Sequence, residues 1–378
     1  MIRLAVNAVP LLSPFAGVAG YIRNLMTALT AMGAIEPRYF YGLRWGDRLL
    51  DAAPPGVTKG KGLVQRWLPF AWEASRVVQQ TAFARTGGRL FDLYHEPAFL
   101  LLGERLPAVV TVHDLSFVHY PETHPAGRVR VLNRRLPRSL EVARAVISDS
   151  AAVRDEIVAH YGVPRQKVHA IPLGVSAQFR PRAAEELRPA MERHGLQAGR
   201  YLLSVGTLEP RKNLVRTVRA YSSLPVSLRE RFPLVIVGAR GWHESGIVAE
   251  LEPLERSGQA RVLSYVDEDS LALLYAGARA VLYPSLYEGF GLPIAEAMAS
   301  GAAVLTSNAG CMRELAEGAA LLIEPTDVSA IAQGMRRLLE DDAACARLRG
   351  AGLEKARELS WQRCAERTLQ VYRRVLGA

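Results

Sequence analysis

The chain has 378 residues, room for about two domains of ordinary size, and 49% of them are hydrophobic, enough for a core in each. Lysine and arginine number 47 against 37 aspartates and glutamates, a formal charge of +10 that suits an anionic partner such as membrane, nucleic acid or a phosphorylated substrate. No apolar run approaches the roughly 18 residues of a membrane span, Met1-Ile-Arg-Leu-Ala-Val6 lacks a signal peptide's basic head and cleavage site, and the scattered Cys311, Cys345 and Cys364 suit neither a disulfide framework nor a metal cluster, so the expected setting is the reducing cytoplasm.

Residues 2–6 read as a strand. Gly17-Val-Ala-Gly20-Tyr21 follows, ahead of a helical stretch at 22–29, and is expected to be a loop that brings backbone close to a ligand, with Gly17 the leading candidate. Strands at 93–95, 108–112, 145–148 and 168–171 alternate with helical stretches, which predicts parallel sheets covered by helices. His113 and Asp114 close the apolar run from Pro107, so both emerge at the C-terminal edge of the sheet, where open parallel sheets bind ligands.

Between Arg128 and Arg144 six arginines meet a single glutamate. Val131, Leu132, Leu136 and Leu140 interleave with them at near-helical spacing, and Pro137 is an expected kink. One reading is a solvated helix face; the other is a surface for anionic lipid or a lipid-diphosphate acceptor. Lysine occurs only at Lys59, Lys61, Lys167, Lys212 and Lys355, so the arginines reflect a compositional bias and Lys212 gains interest.

Prolines and a glycine across 172–181 mark a linker, which puts a domain boundary at 173/174. The second half repeats the pattern with strands at 201–205, 233–237, 261–263, 280–283, 303–306 and 320–323. Directly after the first of these, Gly206-Thr-Leu-Glu-Pro-Arg-Lys-Asn213 sets Arg211 and Lys212 before a helix that Asn213 is expected to cap, adding a helix N-terminus to two cations. Asp267-Glu-Asp269 has the letters of a divalent-metal motif but lies just before a helical run at 270–275, where acidic residues cap a helix start, so no catalytic metal is expected. The histidines at 113, 119 and 124 lack the tight spacing of zinc ligands.

After the strand at 280–283, Glu288 and Glu296 stand with seven residues between them across a Gly-rich turn that opens a helix, with Pro293 in its first turn. Gly289 and Gly291 let the backbone approach a ligand closely. Free amides there would receive negative charge while carboxylates accept hydrogen bonds from diols, a combination that fits a sugar nucleotide. At the end of the chain Trp361, Ala365, Leu369, Tyr372 and Leu376 share one helical face.

The segment 283–301 resembles the E-x7-E signature of the retaining glycosyltransferases of family 4, and 201–214 resembles the strand, loop and helix that hold the donor's diphosphate in that family. The phrase from Gly206 to Asn213 is most similar to the bacterial mannosyltransferase branch that builds O-antigen and other surface polysaccharides. The resemblance covers almost the whole chain, including the loop at Gly17, Thr111-Val-His-Asp-Leu115, the linker at Gly174 and the helix from Trp361. It implies an α/β fold of the GT-B type: two Rossmann-like domains facing each other across a cleft, with acceptor domain 1–173, donor domain 174–358, and a terminal helix, 359–378, crossing back to the first.

The resemblance also implies roles. Arg211 and Lys212 neutralise the departing diphosphate, Glu288 lies near hydroxyls of the donor sugar, Gly206 and the backbone of Phe290, Gly291 and Leu292 approach the donor, and Glu296 binds the ribose. His113 faces the sugar's outer hydroxyls, and Asp114 contacts the acceptor or caps a turn. The implied reaction is transfer of a hexose, mannose from GDP-mannose in the first place and a sugar from a UDP or dTDP donor otherwise, to a saccharide or lipid-linked saccharide, by same-face substitution without cofactor or metal. The expected location is the cytoplasm, with peripheral contact at the inner membrane face through Arg128, Arg130, Arg134, Arg135 and Arg138. The family's common Gly-Ile-Gly-Arg-Tyr is altered here, with Ala19 and Gly20 in place of its second glycine and arginine, which puts the close phosphate contact of that loop in question. A glycoside hydrolase would need an acid for a poor leaving group, whereas paired cations suit an anionic one. A nucleic-acid binder lacks any recognised module here.

Overall fold

The computed structural model describes residues 1–12, 16–50, 71–87, 90–239, 245–264 and 266–377. The chain divides into two compact units, Met1–Gly174 with Trp361–Ala378, and Val175–Ser360.

The first unit is built on seven strands: β1 (Ile2–Asn7), β2 (Ile35–Phe40), β3 (Trp45–Gly46), β4 (Leu93–Glu96), β5 (Ala108–Val112), β6 (Ala145–Ser148) and β7 (Val168–Ala170). Their order across the sheet is β3-β2-β1-β4-β5-β6-β7, parallel except for the β2–β3 pair. The side chains of β4, β5 and β6 are buried throughout, as expected of strands covered by helices on both faces. β2 and β3 escaped the sequence reading because Ile35-Glu-Pro-Arg-Tyr-Phe40 carries a proline and two charges where an apolar run was sought.

The second unit repeats the plan with β8 (Leu202–Val205), β9 (Leu234–Val237), β10 (Ala260–Leu263), β11 (Ala280–Tyr283), β12 (Ala303–Ser307) and β13 (Leu321–Ile323), in the all-parallel order β10-β9-β8-β11-β12-β13. Leu202, Leu234, Ile236, Leu282 and Leu305 pack from this sheet against Val218, Tyr221, Ile331 and Leu338 of the covering helices.

In each unit the strand order reverses direction once, between β1 and β4 in the first and between β8 and β11 in the second. Loops leaving the C-terminal ends of such a strand pair diverge and open a crevice, the usual ligand position of open α/β sheets.

The last helix, Trp361–Leu376, belongs to the first unit and packs on the helix Ala16–Ala31. It buries Cys364, Ala365, Thr368, Leu369, Val371 and Tyr372. One expectation is corrected. Gly17–Tyr21 forms no loop: it lies in the first turns of the helix Ala16–Ala31, and Gly17 has no positive φ. Pro137, the expected kink, lies within the helix Ala126–Val142.

Candidate functional site

The loops at the switch point of the second sheet carry the densest cluster of charge among the predicted site residues. β8 ends at Val205, and Gly206 turns at φ +148, a conformation that L side chains rarely adopt. A Cβ on Gly238, just beyond β9, would lie 1.9 Å from the Gly206 carbonyl oxygen, so both strand ends approach as closely as glycine permits. The chain then makes a short 3-10 turn, Pro210–Lys212, which turns Arg211 and Lys212 toward the loop that follows β11.

Asn213 stands at the N-cap position of the helix Leu214–Ser222, as the sequence suggested, but its side chain makes no capping hydrogen bond. It sits at φ 59, and its amide nitrogen donates to the carbonyls of Pro284 at 2.9 Å and Pro325 at 2.6 Å. The Leu286 amide donates to the Arg211 carbonyl at 2.9 Å. The two loops are thereby stitched together, and the residue that does it is an asparagine because its short amide can reach two carbonyls while tolerating the left-handed backbone.

Glu288 is the centre of the cluster. Its Oε2 accepts from Arg211 Nη1 at 2.8 Å and its Oε1 from Lys212 Nζ at 2.7 Å. Arg211 Nη1 also donates to the Tyr287 carbonyl at 2.7 Å, and Nη2 to Glu209 Oε1 at 2.6 Å. Lys212 Nζ further donates to the Tyr283 hydroxyl at 2.8 Å. Burial opposes a charge on Glu288, but Arg211 and then Lys212 outweigh it and bring the carboxyl down to about 2. Two carboxylates and two cations balance formally, which is how four charged side chains this buried coexist. Glu209 escaped the sequence reading; its signal was an acid two positions before Arg211 on the same tight turn.

Past Glu288 the turn reaches Phe290, buried, and Gly291, which at φ +98 precedes the helix Leu292–Ala299 without a side-chain cap. A Cβ on Gly291 would press on Ile294 Cδ1 at 3.0 Å. Cys311 Sγ donates to the Glu288 carbonyl at 3.0 Å and holds the turn from the far side. Glu296, on the second turn of the helix, is partly buried, not an exposed surface residue. Burial raises its carboxyl to about 7 against the opposing effect of the Tyr275 hydroxyl.

His113 and Asp114 lie in the first unit, directly after β5. His113 Nε2 faces the Pro97 carbonyl at 2.8 Å and therefore carries a hydrogen, while Nδ1 faces Asp149 Oδ2 at 2.8 Å. Burial works against a charged imidazole, but Asp149 outweighs it and the ring's pKa sits above its ordinary value. Burial likewise raises Asp149, against the pull of His113. Both ring nitrogens are thus engaged by the protein. Asp149 was invisible in the sequence because it stands 36 positions away on a neighbouring strand end. Asp114 Oδ1 accepts from the Ser116 amide at 2.8 Å and hydroxyl at 2.6 Å, a turn cap. Gly17 is exposed in the first turn of its helix.

The remaining sequence candidates have ordinary partners. Asp267 caps the helix Glu268–Gly277, its two oxygens accepting from the Ser270 amide and hydroxyl. His119 pairs with Glu156, and His124 bonds the Ser116 hydroxyl. Among the described residues no group of three or more His, Cys, Asp or Glu is arranged to hold a metal ion. On the helix Ala126–Val142, Val131, Leu132, Leu136 and Leu140 face the core. Arg128, Arg130, Arg134 and Arg138 are exposed and Arg135 half-buried. Arg138 is engaged by Glu104 and Glu141. No helix among the described residues is long and apolar enough to cross a membrane.

Residues 15–179 match the family model Glycosyltransferase Family 4, and residues 190–355 match Glycosyl transferases group 1. O-antigen chain mannosyltransferase B of Escherichia coli is 34% identical over 372 residues, covering 96% of this chain and 97% of that one. Two solved structures share the fold. Sucrose-phosphate synthase from Thermosynechococcus elongatus has a TM-score of 0.77 at 21% identity, covering 100% of both chains. Anabaena Alr3699/HepE in complex with UDP and glucose has a TM-score of 0.75 at 18% identity, covering 98% of this chain and 99% of that one.

Proposed function

We propose a function from the premise that this chain belongs to the group 1, family 4 glycosyltransferases, with the GT-B fold: it transfers mannose from GDP-mannose, with retention, to a saccharide or lipid-linked saccharide in O-antigen-type synthesis. The observation that carries the site assignment is the Arg211–Glu288–Lys212 cluster at the switch point of the second sheet. Breaking the bond between the anomeric carbon and the diphosphate oxygen leaves negative charge on the departing nucleotide. Two preorganised cations held by carboxylates stabilise that charge without reorganising when it develops.

In this reading Arg211 and Lys212 neutralise the diphosphate, and Glu288 both holds them and accepts hydroxyls of the sugar. The turn at Phe290, Gly291 and Leu292 presents backbone to the donor, and Glu296 accepts from the ribose. The positive charge that a divalent ion would bring is supplied by the side chains, so transfer proceeds without metal. The departing phosphate oxygen takes the acceptor's proton on the same face of the ring. Mannose rests on the similarity to the mannosyltransferase, and GDP on the resemblance of Gly206 to Asn213 to the mannosyltransferase branch.

The acceptor is reached from a peripheral position at the inner face of the cytoplasmic membrane, where Arg128, Arg130 and Arg134 on the exposed side of the helix Ala126–Val142 meet anionic headgroups. The decisive experiment is a thermal-shift comparison of GDP, UDP and dTDP and their sugars, with and without Mg²⁺, followed by a transfer assay on the best donor. GDP-mannose should give the largest shift and support transfer in the presence of a chelator. Preference for a UDP or dTDP sugar selects the alternative donor, and strict dependence on Mg²⁺ overturns the metal-free reading.

A further inference from the structure

A file of buried polar side chains crosses the core of the first unit and ends on the ring of His113. Tyr372, on the terminal helix, places its hydroxyl 2.6 Å from His95 Nδ1. His95 Nε2 lies 2.9 Å from Thr111 Oγ1, and Thr111 Oγ1 lies 3.0 Å from the Tyr21 hydroxyl. The Tyr21 ring meets the His113 ring edge to face, with centroids 4.9 Å apart at 83°. Each of Tyr372, His95, Thr111 and Tyr21 is at most 2% exposed. Trp361, from the same terminal helix, packs on Tyr21 from another side at 6.3 Å.

Buried polar groups of this kind must be mutually satisfied, so the hydrogens along the file have a definite order. Burial pushes both tyrosines well above their ordinary range, and they stay protonated. Burial also pushes His95 down to about 3, so at neutral pH its ring is neutral and one nitrogen alone carries a hydrogen.

Three orders satisfy these conditions; in one of them Thr111 accepts from both His95 and Tyr21 and the spare O–H is its own, with His95 in the same Nε2–H form as in the first of the two head-to-tail orders. In the first, Tyr372 donates to Nδ1, Nε2–H donates to Thr111, Thr111 donates to Tyr21, and the last O–H, on Tyr21, lies in the field of the Asp149 carboxylate. In the second, every bond is reversed and the last O–H is on Tyr372, whose ionisable neighbours Cys364 and Tyr39 are both held neutral by burial. A hydroxyl hydrogen is better placed facing negative charge, which selects the first order over the second.

We propose that Tyr372 is a positioning residue for His113: it fixes His95 in the Nε2–H form, and through Thr111 it fixes the Tyr21 ring against the imidazole. The terminal helix thus completes the surroundings of a residue at the C-terminal edge of the first sheet, although 277 positions separate Tyr372 from His95. The catalytic consequence rests on the transfer function proposed above; the tautomer and the ring contact do not.

The test uses the full-length protein with ¹⁵N-labelled histidine. In the wild type His95 should carry its hydrogen on Nε2, and Tyr372→Phe, which keeps the ring and removes the O–H, should release that preference and shift the His113 resonances. The same variant should lower kcat about tenfold, the scale of one lost internal hydrogen bond, with KM for the donor unchanged. His95→Gln presents an acceptor and a donor in the same order and should keep most of the activity, whereas His95→Leu should lose it; this pair serves if Tyr372→Phe folds poorly. An Nδ1–H tautomer in the wild type, unaltered His113 resonances in Tyr372→Phe, or equal activity of the Gln and Leu variants overturns the proposal. The NMR measurements are made without donor, so a wrong donor assignment would fail in the transfer assay and leave them intact.

Discussion

Glu288 divides its carboxylate between two cations, Oε2 on Arg211 at 2.8 Å and Oε1 on Lys212 at 2.7 Å, and so fixes both at the end of the same crevice. Each cation therefore has two kinds of work, closing the loop pair and meeting the departing diphosphate. Arg211→Ala and Lys212→Ala should each reduce transfer by about 100 to 1000 fold, roughly 2.7 to 4 kcal/mol of barrier. Nucleoside diphosphate binding by calorimetry should weaken in both; unchanged affinity in either would remove that residue from the phosphate site.

Glu209 is the second support of Arg211, at 2.6 Å from Nη2. Glu209→Ala leaves Arg211 one carboxylate short in a largely buried cluster, a change of the type that costs about 3 to 5 kcal/mol when a buried pair is broken. The melting temperature should fall, and the donor KM should rise. If Glu209→Ala matches the wild type in both, the balanced-charge account of the cluster fails.

Glu296 should make donor binding depend on pH. Its folded pKa, about 7, lies above the ordinary carboxyl value of 4.5, so between those limits the folded chain holds more protons than the unfolded one. Its contribution to stability is fully present below about 4.5 and is lost as the pH rises through about 7. As a ribose acceptor it works best ionised, so nucleotide affinity should increase across the same window as that stability contribution declines. Glu296→Gln should flatten both profiles; a wild-type binding curve that is flat from pH 5.5 to 8 would count against the assignment.

Gly238 has no room for a side chain, because a Cβ would meet the Gly206 carbonyl oxygen at 1.9 Å. Gly238→Ala must displace the Gly206 turn, at a cost of about 1 to 3 kcal/mol as for other overpacked sites. Denaturant titration should show the loss of stability, and nucleotide binding should weaken in the fraction that folds. Full retention of both would mean that the turn adapts freely.

The exposed arginines of the helix Ala126–Val142 should bind anionic surfaces. Arg128→Glu, Arg130→Glu and Arg134→Glu together should reduce sedimentation with phosphatidylglycerol vesicles, each arginine contributing about 1 kcal/mol near such a surface. Neutral vesicles should bind neither form, and added salt should weaken the wild type. Equal binding by the triple variant would assign the helix to ordinary solvated surface.

Much of this molecule was legible in its sequence because the relevant physics is local. Strands buried on both faces are written as short apolar runs, so β4, β5, β6, β8, β9, β11 and β12 could be found within a residue or so of their ends, whereas β2, with a proline and two charges, could not. The glycine at 291 followed from residue type, and the assignment of Gly206, Arg211, Lys212 and Glu288 to one donor site followed from the family resemblance. Spacing alone also favoured a cap for Asp267, and its two oxygens are spent on Ser270.

What only the tertiary structure decided was which groups meet. Glu288 reaches Arg211 across 77 positions because β8 and β11 are neighbours in the sheet. Asp149 reaches His113 because β5 and β6 are, and Tyr372 enters the first unit's core because the last helix packs there. Local propensity also misjudged Gly17, which the sequence placed in a loop and packing placed in a helix, and it placed Asn213 at a helix start without showing that its side-chain amide ties two loops there. A side chain's type and periodicity fix what it can do and which way it faces, but its partner is set by strand order and helix packing. Those depend on the burial of the whole chain at once and leave no mark at any single position.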